Sequence, residues 1–326
     1  MCEMSISYKL KLNLKIMKFV KPSFEIIEQE FPVSNKMDSS KTQQVSDLID
    51  AMYKHIEICG RTCYKSLDKI TSDSCHEFVN RMVMNDHTAM LEHGTVYLKV
   101  PYFSETTAFY LSNKYSVVNY KGKDIPMDDA MVERVVEEMC SENDFAYITT
   151  NYRVIIQNGR EADLKYMCAP TDEHEKRHTV KIICNRQVSH EFVRHKVMSF
   201  AQESTRYCNY MKDKFGSQLT FIAPLWMDAS ELESPDLGSP EYKFVKALKT
   251  AESTYMSLIE SGWKAQQAAI VLPADLKTEL VITGTETDFK HFFDLRALGT
   301  TGAPHPQAKE IAEPMMEEFK RRGWLK

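Results

Sequence analysis

Between Val193 and Tyr210 the chain reads VRHKVMSFAQESTRYCNY, with Arg194, His195, Lys196 and Arg206 interleaved with Ser199 and Ser204. Guanidinium groups fork onto paired oxygens of phosphate or carboxylate, an ammonium adds a point charge, and hydroxyls add neutral donors. That mixture suits a small ligand carrying phosphate. Neither serine lies in a nucleophile elbow, and Cys208 has no evident base beside it, so covalent attack by these residues is not indicated. In HEFVRH, His190 and His195 are five apart and would diverge by roughly 140° on a regular helix, which excludes an HExxH-type zinc site. His174 and His178 in TDEHEKRH, and Cys59 with Cys63, sit at helical spacing but lack further ligands. No metal is expected.

The rest of the chain must position that cluster. With 326 residues, 43% hydrophobic and 27% charged, it can bury a substantial core in one large or two modest domains. A net charge of −5 argues against a nucleic-acid polymer as partner, because such binders need a basic face to displace counterions. Eight cysteines without a CxxC pair read as reduced thiols. Lys9, Lys11, Lys15 and Lys18 interrupt the first apolar residues, and no later run reaches membrane length. No membrane association is expected, and the location expected is cytoplasmic. Met17 opens a more natural beginning, MKFVKPSFEII, read as a strand; residues 1–16 are expected to be an extension or a misplaced start.

Apolar spacing from Val45 predicts a helix that stops near Gly60, and Asp73 or Ser74 is expected to cap a second over CHEFVNRMVMN. Thr95–Val100 reads as a strand, DIPMDDAMVERVVEEMC as a helix from Asp128, and YITTNYRVIIQNG as a strand ending at its Asn-Gly turn. TVKIICN is expected as a strand feeding the helix that carries the cluster. LTFIAP follows as a strand, MDASELESPDLGSPE as a surface loop, and YKFVKALKTAESTYMSLIES as a helix closed by Gly262. WKAQQAAIVLP, DFKHFFDLRAL and HPQAKEIAEPMMEEFKRR are expected to be helical. There is no internal repeat and no glycine-rich dinucleotide fingerprint, so the pattern is α+β.

RHKVMSFAQESTR resembles the signature RHRxxSxxxxSxR of the flavin-dependent thymidylate synthases. Arg194, His195, Ser199, Ser204 and Arg206 match in type and spacing, and Lys196 stands in place of an arginine. HTAMLEH resembles the family's HxxxxEH segment and gives His87 and Glu92. AAIVLPADLKTELVITG resembles the ARxVLP segment, with Ala269 in the arginine's place. HFFDLR resembles the late arginine motif ending in Arg296, and HPQ the C-terminal histidine segment. The likeness covers most of the chain beyond Met17, with 101–170 the least anchored.

The resemblance implies a mixed or antiparallel sheet flanked by helices, in a single domain over 17–326 with an insertion. It implies reductive methylation of dUMP to dTMP, with methylenetetrahydrofolate as carbon donor and FAD reduced by NADPH as hydride source. It also implies a homotetramer. Arg296 would be the catalytic residue, pairing with the uracil ring. Glu191, Arg194, Gln202, Glu203, Ser204, Thr205 and Arg206 would surround dUMP with it, Glu191 standing where many members have glutamine. His87, Glu92, Arg194, His195, Lys196, Gln202 and His291 would contact FAD. The alternatives are a related dUMP modification such as hydroxymethylation, and a non-catalytic flavin- and nucleotide-binding paralogue, the latter motivated by Lys196 and Ala269.

Overall fold

A computed structural model describes residues 17–32, 41–101, 104–120, 123–124, 145–212 and 215–325. Residues 1–16 and the helix expected from Asp128 lie outside them. The strands are β1 (Lys18–Val20), β2 (Ser23–Ile26), β3 (Thr95–Pro101), β4 (Val117–Tyr120), β5 (Lys123–Asp124), β6 (Phe145–Asn151), β7 (Arg177–Asn185), β8 (Ser199–Gln202), β9 (Thr220–Ile222) and β10 (Lys277–Thr285). The α-helices are α1 (Lys41–Tyr64), α2 (Ser74–Met84), α3 (Glu105–Ser112), α4 (Tyr152–Gln157), α5 (Arg186–Phe192), α6 (Ala229–Glu233), α7 (Pro240–Glu260), α8 (Ala265–Ala268), α9 (Glu286–Phe293) and α10 (Pro306–Arg321).

These elements fall into two compact units, a division that composition did not mark. The smaller, in its described part, comprises 17–21 and 205–277; the larger comprises Pro22–Ser204 and Thr278–Lys326. In the smaller unit β1 pairs parallel with β9. Val245, Leu248 and Tyr255 of α7 pack with Leu219 and Phe221. Ser239 caps α7 by accepting from the Tyr242 amide, Pro240 opens its first turn, and Gly262 lies just past its end at φ 92°.

The larger unit holds two four-stranded sheets, in orders β2-β7-β10-β8 and β3-β6-β4-β5. β2 runs antiparallel to β7, β8 to β10, and β6 to both β3 and β4. The architecture is thus mixed α and β, with antiparallel pairings and flanking helices. β10, KTELVITGT, is buried at every position but the first, so it reads as a central strand. Alternation sends Leu280 and Ile282 into a core with Phe289, Phe292, Phe293 and Phe319, and Val281 toward Cys59 and Cys63 of α1.

Five local expectations are corrected. MDASELESPDLGSPE, expected as a loop, contains the short helix α6, which Asp228 caps by accepting from the Ser230 amide. MKFVKPSFEII forms two strands in different sheets, split at Lys21-Pro22, where proline lacks the N–H for a ladder. Helix α1 runs through Gly60 to Tyr64; the glycine is there for close packing, since a Cβ would stand 2.5 Å from Phe78 Cζ. Asn151 ends β6 and caps α4 by accepting from the Val154 amide, so YRVIIQ is helical and Asn158-Gly159 closes a helix. Asp73 holds the N-cap position of α2, but neither it nor Ser74 closes a side-chain cap bond.

A buried polar line crosses the sheet beneath α1. His55 Nε2 lies 2.9 Å from Thr179 Oγ1, which lies 2.8 Å from Thr283 Oγ1, itself 2.8 Å from His93 Nδ1. Burial, reinforced by Arg177, pushes His55 down to about 4; burial, with His55 and Arg177 nearby, pushes His93 down to about 3. Burial also lowers His174, to about 4.

Two outcomes follow for stability. Gly60→Ala gains about 1 kcal/mol of helix propensity but overpacks Phe78, so the net is a loss of about 1–2 kcal/mol in urea unfolding. The buried histidines are neutral when folded, whereas the unfolded chain binds protons below about pH 6.5. Unfolding free energy is therefore full above about pH 6.5 and falls as pH drops toward 4 and then 3. His93→Gln should flatten that slope in a pH series of denaturant melts.

Candidate active site

Strand β7 delivers the chain into α5, whose start is fixed by Asn185 accepting from the Val188 amide. The helix ends at Phe192, earlier than the cluster requires, so Arg194, His195 and Lys196 lie in the following turns and Ser199 to Gln202 form β8. The expectation that one helix carries the cluster is corrected. The connection is paid for locally: Val197 holds φ 82°, a left-handed conformation that a β-branched residue rarely adopts. After β10, α9 continues into a wide π turn, Asp294–Leu298, closed by Gly299 at φ 69°. Such turns displace side chains from the regular helical positions and recur at functional sites.

That turn brings Arg296 to the end of α5. Its Nε donates to His195 Nε2 at 3.0 Å and its Nη1 donates to Glu191 Oε2 at 2.7 Å. Its side chain is only 14% exposed, and Nη2 has no protein partner among the described residues. Glu191 also faces Arg194 at 3.6 Å, but that guanidinium is 69% exposed. The His195 ring is buried against Phe292 at 4.9 Å and edge-on to His291 at 5.7 Å. Burial, then Arg296, His291 and Arg194, push His195 down to about 4, against the opposing effect of Glu191. The ring is neutral at physiological pH.

Other sequence-singled residues occupy distinct positions around β8. Gln202 Nε2 donates to Ser189 Oγ at 2.8 Å and to Thr278 Oγ1 at 3.2 Å. Glu203 is buried, and Lys65 Nζ approaches it at 3.6 Å while also pairing with Glu279. The Ser204 amide donates to the Cys63 carbonyl at 3.3 Å. Glu92 turns its carboxylate to Arg153, while His87, Lys196 and His291 are exposed. Thr205 and Arg206 belong to the smaller unit. No group of three or more His, Cys, Asp or Glu among the described residues is arranged to hold a metal ion.

Arg177 was not legible in the sequence, where it sat inside a charged stretch. It opens β7 and donates through Nη2 to the Glu92 carbonyl at 3.1 Å and to Ser199 Oγ at 3.3 Å, and through Nη1 to Thr95 Oγ1 at 3.3 Å. It thus ties Glu92 to the first serine of the motif. Burial works against its charge, and no carboxylate lies within ion-pair distance among the described residues. It lines a cavity of about 310 Å³ with Val197, Tyr115, Thr149, Thr285 and Asp288.

Residues 173–322 match the family described as thymidylate synthase complementing protein. The span includes Arg177, Glu191, the whole Arg194–Arg206 motif, His291 and Arg296, and excludes His87 and Glu92. The flavin-dependent thymidylate synthase of Pyrococcus furiosus is 30% identical over 140 residues, 43% of this chain and 52% of its own. That of Pyrococcus horikoshii is 32% identical over 144 residues, 44% of this chain and 54% of its own. That of Geobacter sulfurreducens is 30% identical over 112 residues, 34% of this chain and 44% of its own. The chain spans about half the length of the curated relatives it matches. A solved structure, the UMP/dUMP methylase PolB from Streptomyces cacaoi bound with 5-Br dUMP, aligns over 94% of this chain and 93% of its own at 14% identity. Its TM-score of 0.40 is too loose to bear on fold or activity.

The two ion pairs on Glu191 should differ in strength. A double-mutant cycle between Glu191 and Arg296 should give a coupling of about 1 kcal/mol in urea unfolding, because Arg296 is largely desolvated. The cycle between Glu191 and exposed Arg194 should give about 0.3 kcal/mol or less.

Proposed function

We propose that this chain carries out the reductive methylation of dUMP to dTMP, taking carbon from methylenetetrahydrofolate and using FAD reduced by NADPH. The reading includes a cytoplasmic homotetramer. The observation that carries it is the meeting of Arg296, His195 and Glu191, from segments about a hundred residues apart, inside the matched span 173–322.

The residues suit such ligands. The His195 ring is neutral with an orphaned buried Nδ1, the backbone at Val197 is strained, and the cavity that Val197 lines carries Arg177 and hydroxyls together with Glu175 and Asp288. Arg194, His195, Lys196, Gln202 and His291 would hold the flavin, with Glu92 and His87 at the edge. When bound and reduced, the flavin supplies the hydride. Arg296 offers its uncommitted Nη2 to the pyrimidine, where a guanidinium stabilises negative charge developing on the ring. Glu191 orients that guanidinium by accepting from its Nη1, and the hydroxyls and guanidinium of the motif residues Ser204, Thr205 and Arg206 suit the dUMP phosphate.

Arg296→Lys keeps the charge but cannot reach His195 and Glu191 together with the ring. Turnover of dUMP to dTMP should fall about 100-fold or more, equivalent to about 3 kcal/mol of barrier. Flavin absorbance per chain and thermal stability should stay near wild type, and dUMP affinity should fall less than turnover. A variant that turns over at the wild-type rate would remove Arg296 from the reaction.

A further inference from the structure

The Arg296–His195 bond has a consequence for where the proton sits on the imidazole. A guanidinium Nε carries a hydrogen and no lone pair, so it can only donate. At 3.0 Å it therefore requires a lone pair on His195 Nε2. The ring, being neutral, must then carry its proton on Nδ1. Nδ1 is buried and has no hydrogen-bond partner in the protein. The groups facing the ring are Arg296 from the π turn, His291 and Phe292 from α9, and Arg194 and Glu191 from its own segment. Three of these charges or rings disfavour an imidazolium, and only Glu191 favours one.

We propose that Arg296 is also a positioning residue for His195: it locks the ring as the neutral Nδ1–H tautomer, making it a fixed donor to an acceptor atom of the bound flavin or pyrimidine rather than a proton shuttle. This rests on the functional reading for the identity of the acceptor, but the lock itself does not. An orphaned buried donor is destabilising unless something accepts from it, which is the physical reason to expect a ligand atom there. A histidine held in this way would contribute a hydrogen bond at constant charge, and the pH dependence of the reaction would not carry its ordinary titration near 6.5.

The test is nitrogen NMR of the full-length chain with ¹⁵N-labelled histidine, without added ligand, from about pH 8 to about pH 5. His195 is assigned by loss of its signals in His195→Asn. The wild type should show His195 as a single neutral ring, protonated on Nδ1, with no titration across that range. In Arg296→Lys and Arg296→Ala, each first shown to be folded by near-UV circular dichroism, the lock should break. The ring should then populate the Nε2–H tautomer or titrate at higher pH. A wild-type ring protonated on Nε2, or one titrating near 6.5, would overturn the inference, as would an unchanged Nδ1–H tautomer in both variants. For the ligand arm, flavin absorbance per chain should be retained better by His195→Asn, whose amide nitrogen takes the place of Nδ1, than by His195→Gln, whose amide lies at the Nε2 end. The same order applies to dUMP affinity if the acceptor is on the pyrimidine; equal retention or the reverse order for both ligands would overturn the donor role. Failure to make dTMP with the lock intact would count against the functional reading alone.

Discussion

A largely buried guanidinium needs acceptors, and the local architecture around Arg296 exists to supply them. The charge would be costly at 14% exposure if it met only apolar side chains of α9 and the core. Glu191 supplies the compensating carboxylate and His195 an uncharged acceptor. Supplying both from one segment requires α5 to stop at Phe192, so that the chain can turn His195 back toward the helix end while Glu191 remains on its last turn. The left-handed backbone at Val197 lies where that reversal joins β8. The opposite side requires the π turn, which places Arg296 off the ordinary path of α9.

The turns hold because what lies under them is rigid. β10 is buried on both faces: aromatic side chains of α9 and α10 pack on one, and α1 on the other. Both arms of the site are thereby anchored, since β10 leads directly into α9 and pairs with β8. The Thr179–Thr283 hydroxyl pair links β7 to β10 beneath α1, with a histidine at each end. Such a network specifies one register, because slipping a strand by one residue would leave several buried polar atoms unpaired. Arg177 extends the same logic to the Glu92 backbone and Ser199, again with neutral acceptors only.

Arg194 and His195 stand out in the sequence as residue types in one charged cluster, whereas Glu191 and Arg296 are reached only through the resemblance of their segments. Glu191, Arg194, His195 and Arg296 were all named from the sequence, and the structure joins them. The strands at Thr95 and Thr220 and the long helix ending before Gly262 were legible from periodicity and punctuation. What escaped depends on partners distant in sequence. Nothing near Gly60 tells that Phe78 will press against it, so a glycine read as a stop is a packing device. YRVIIQ is an apolar run short enough to fit a strand or a helix, and only the Asn151 cap decides. Arg177 looked like one charge among many, because its burial is created by β3, β8 and the turn at Glu92. The division into two units left no mark on composition, since both halves have ordinary cores.

The proposed reacting centre is the meeting of Arg296, His195 and Glu191, and the proposed reaction is methylation of dUMP. The most direct measurement is the mass of the nucleotide recovered after dUMP is incubated with the flavin-loaded chain, NADPH and methylenetetrahydrofolate. The expected product is heavier than dUMP by one methyl group in place of hydrogen, co-migrates with dTMP and is absent when the folate is omitted. Recovery of unchanged dUMP from a flavin-loaded chain that binds it, or of a hydroxymethylated nucleotide, would contradict that claim.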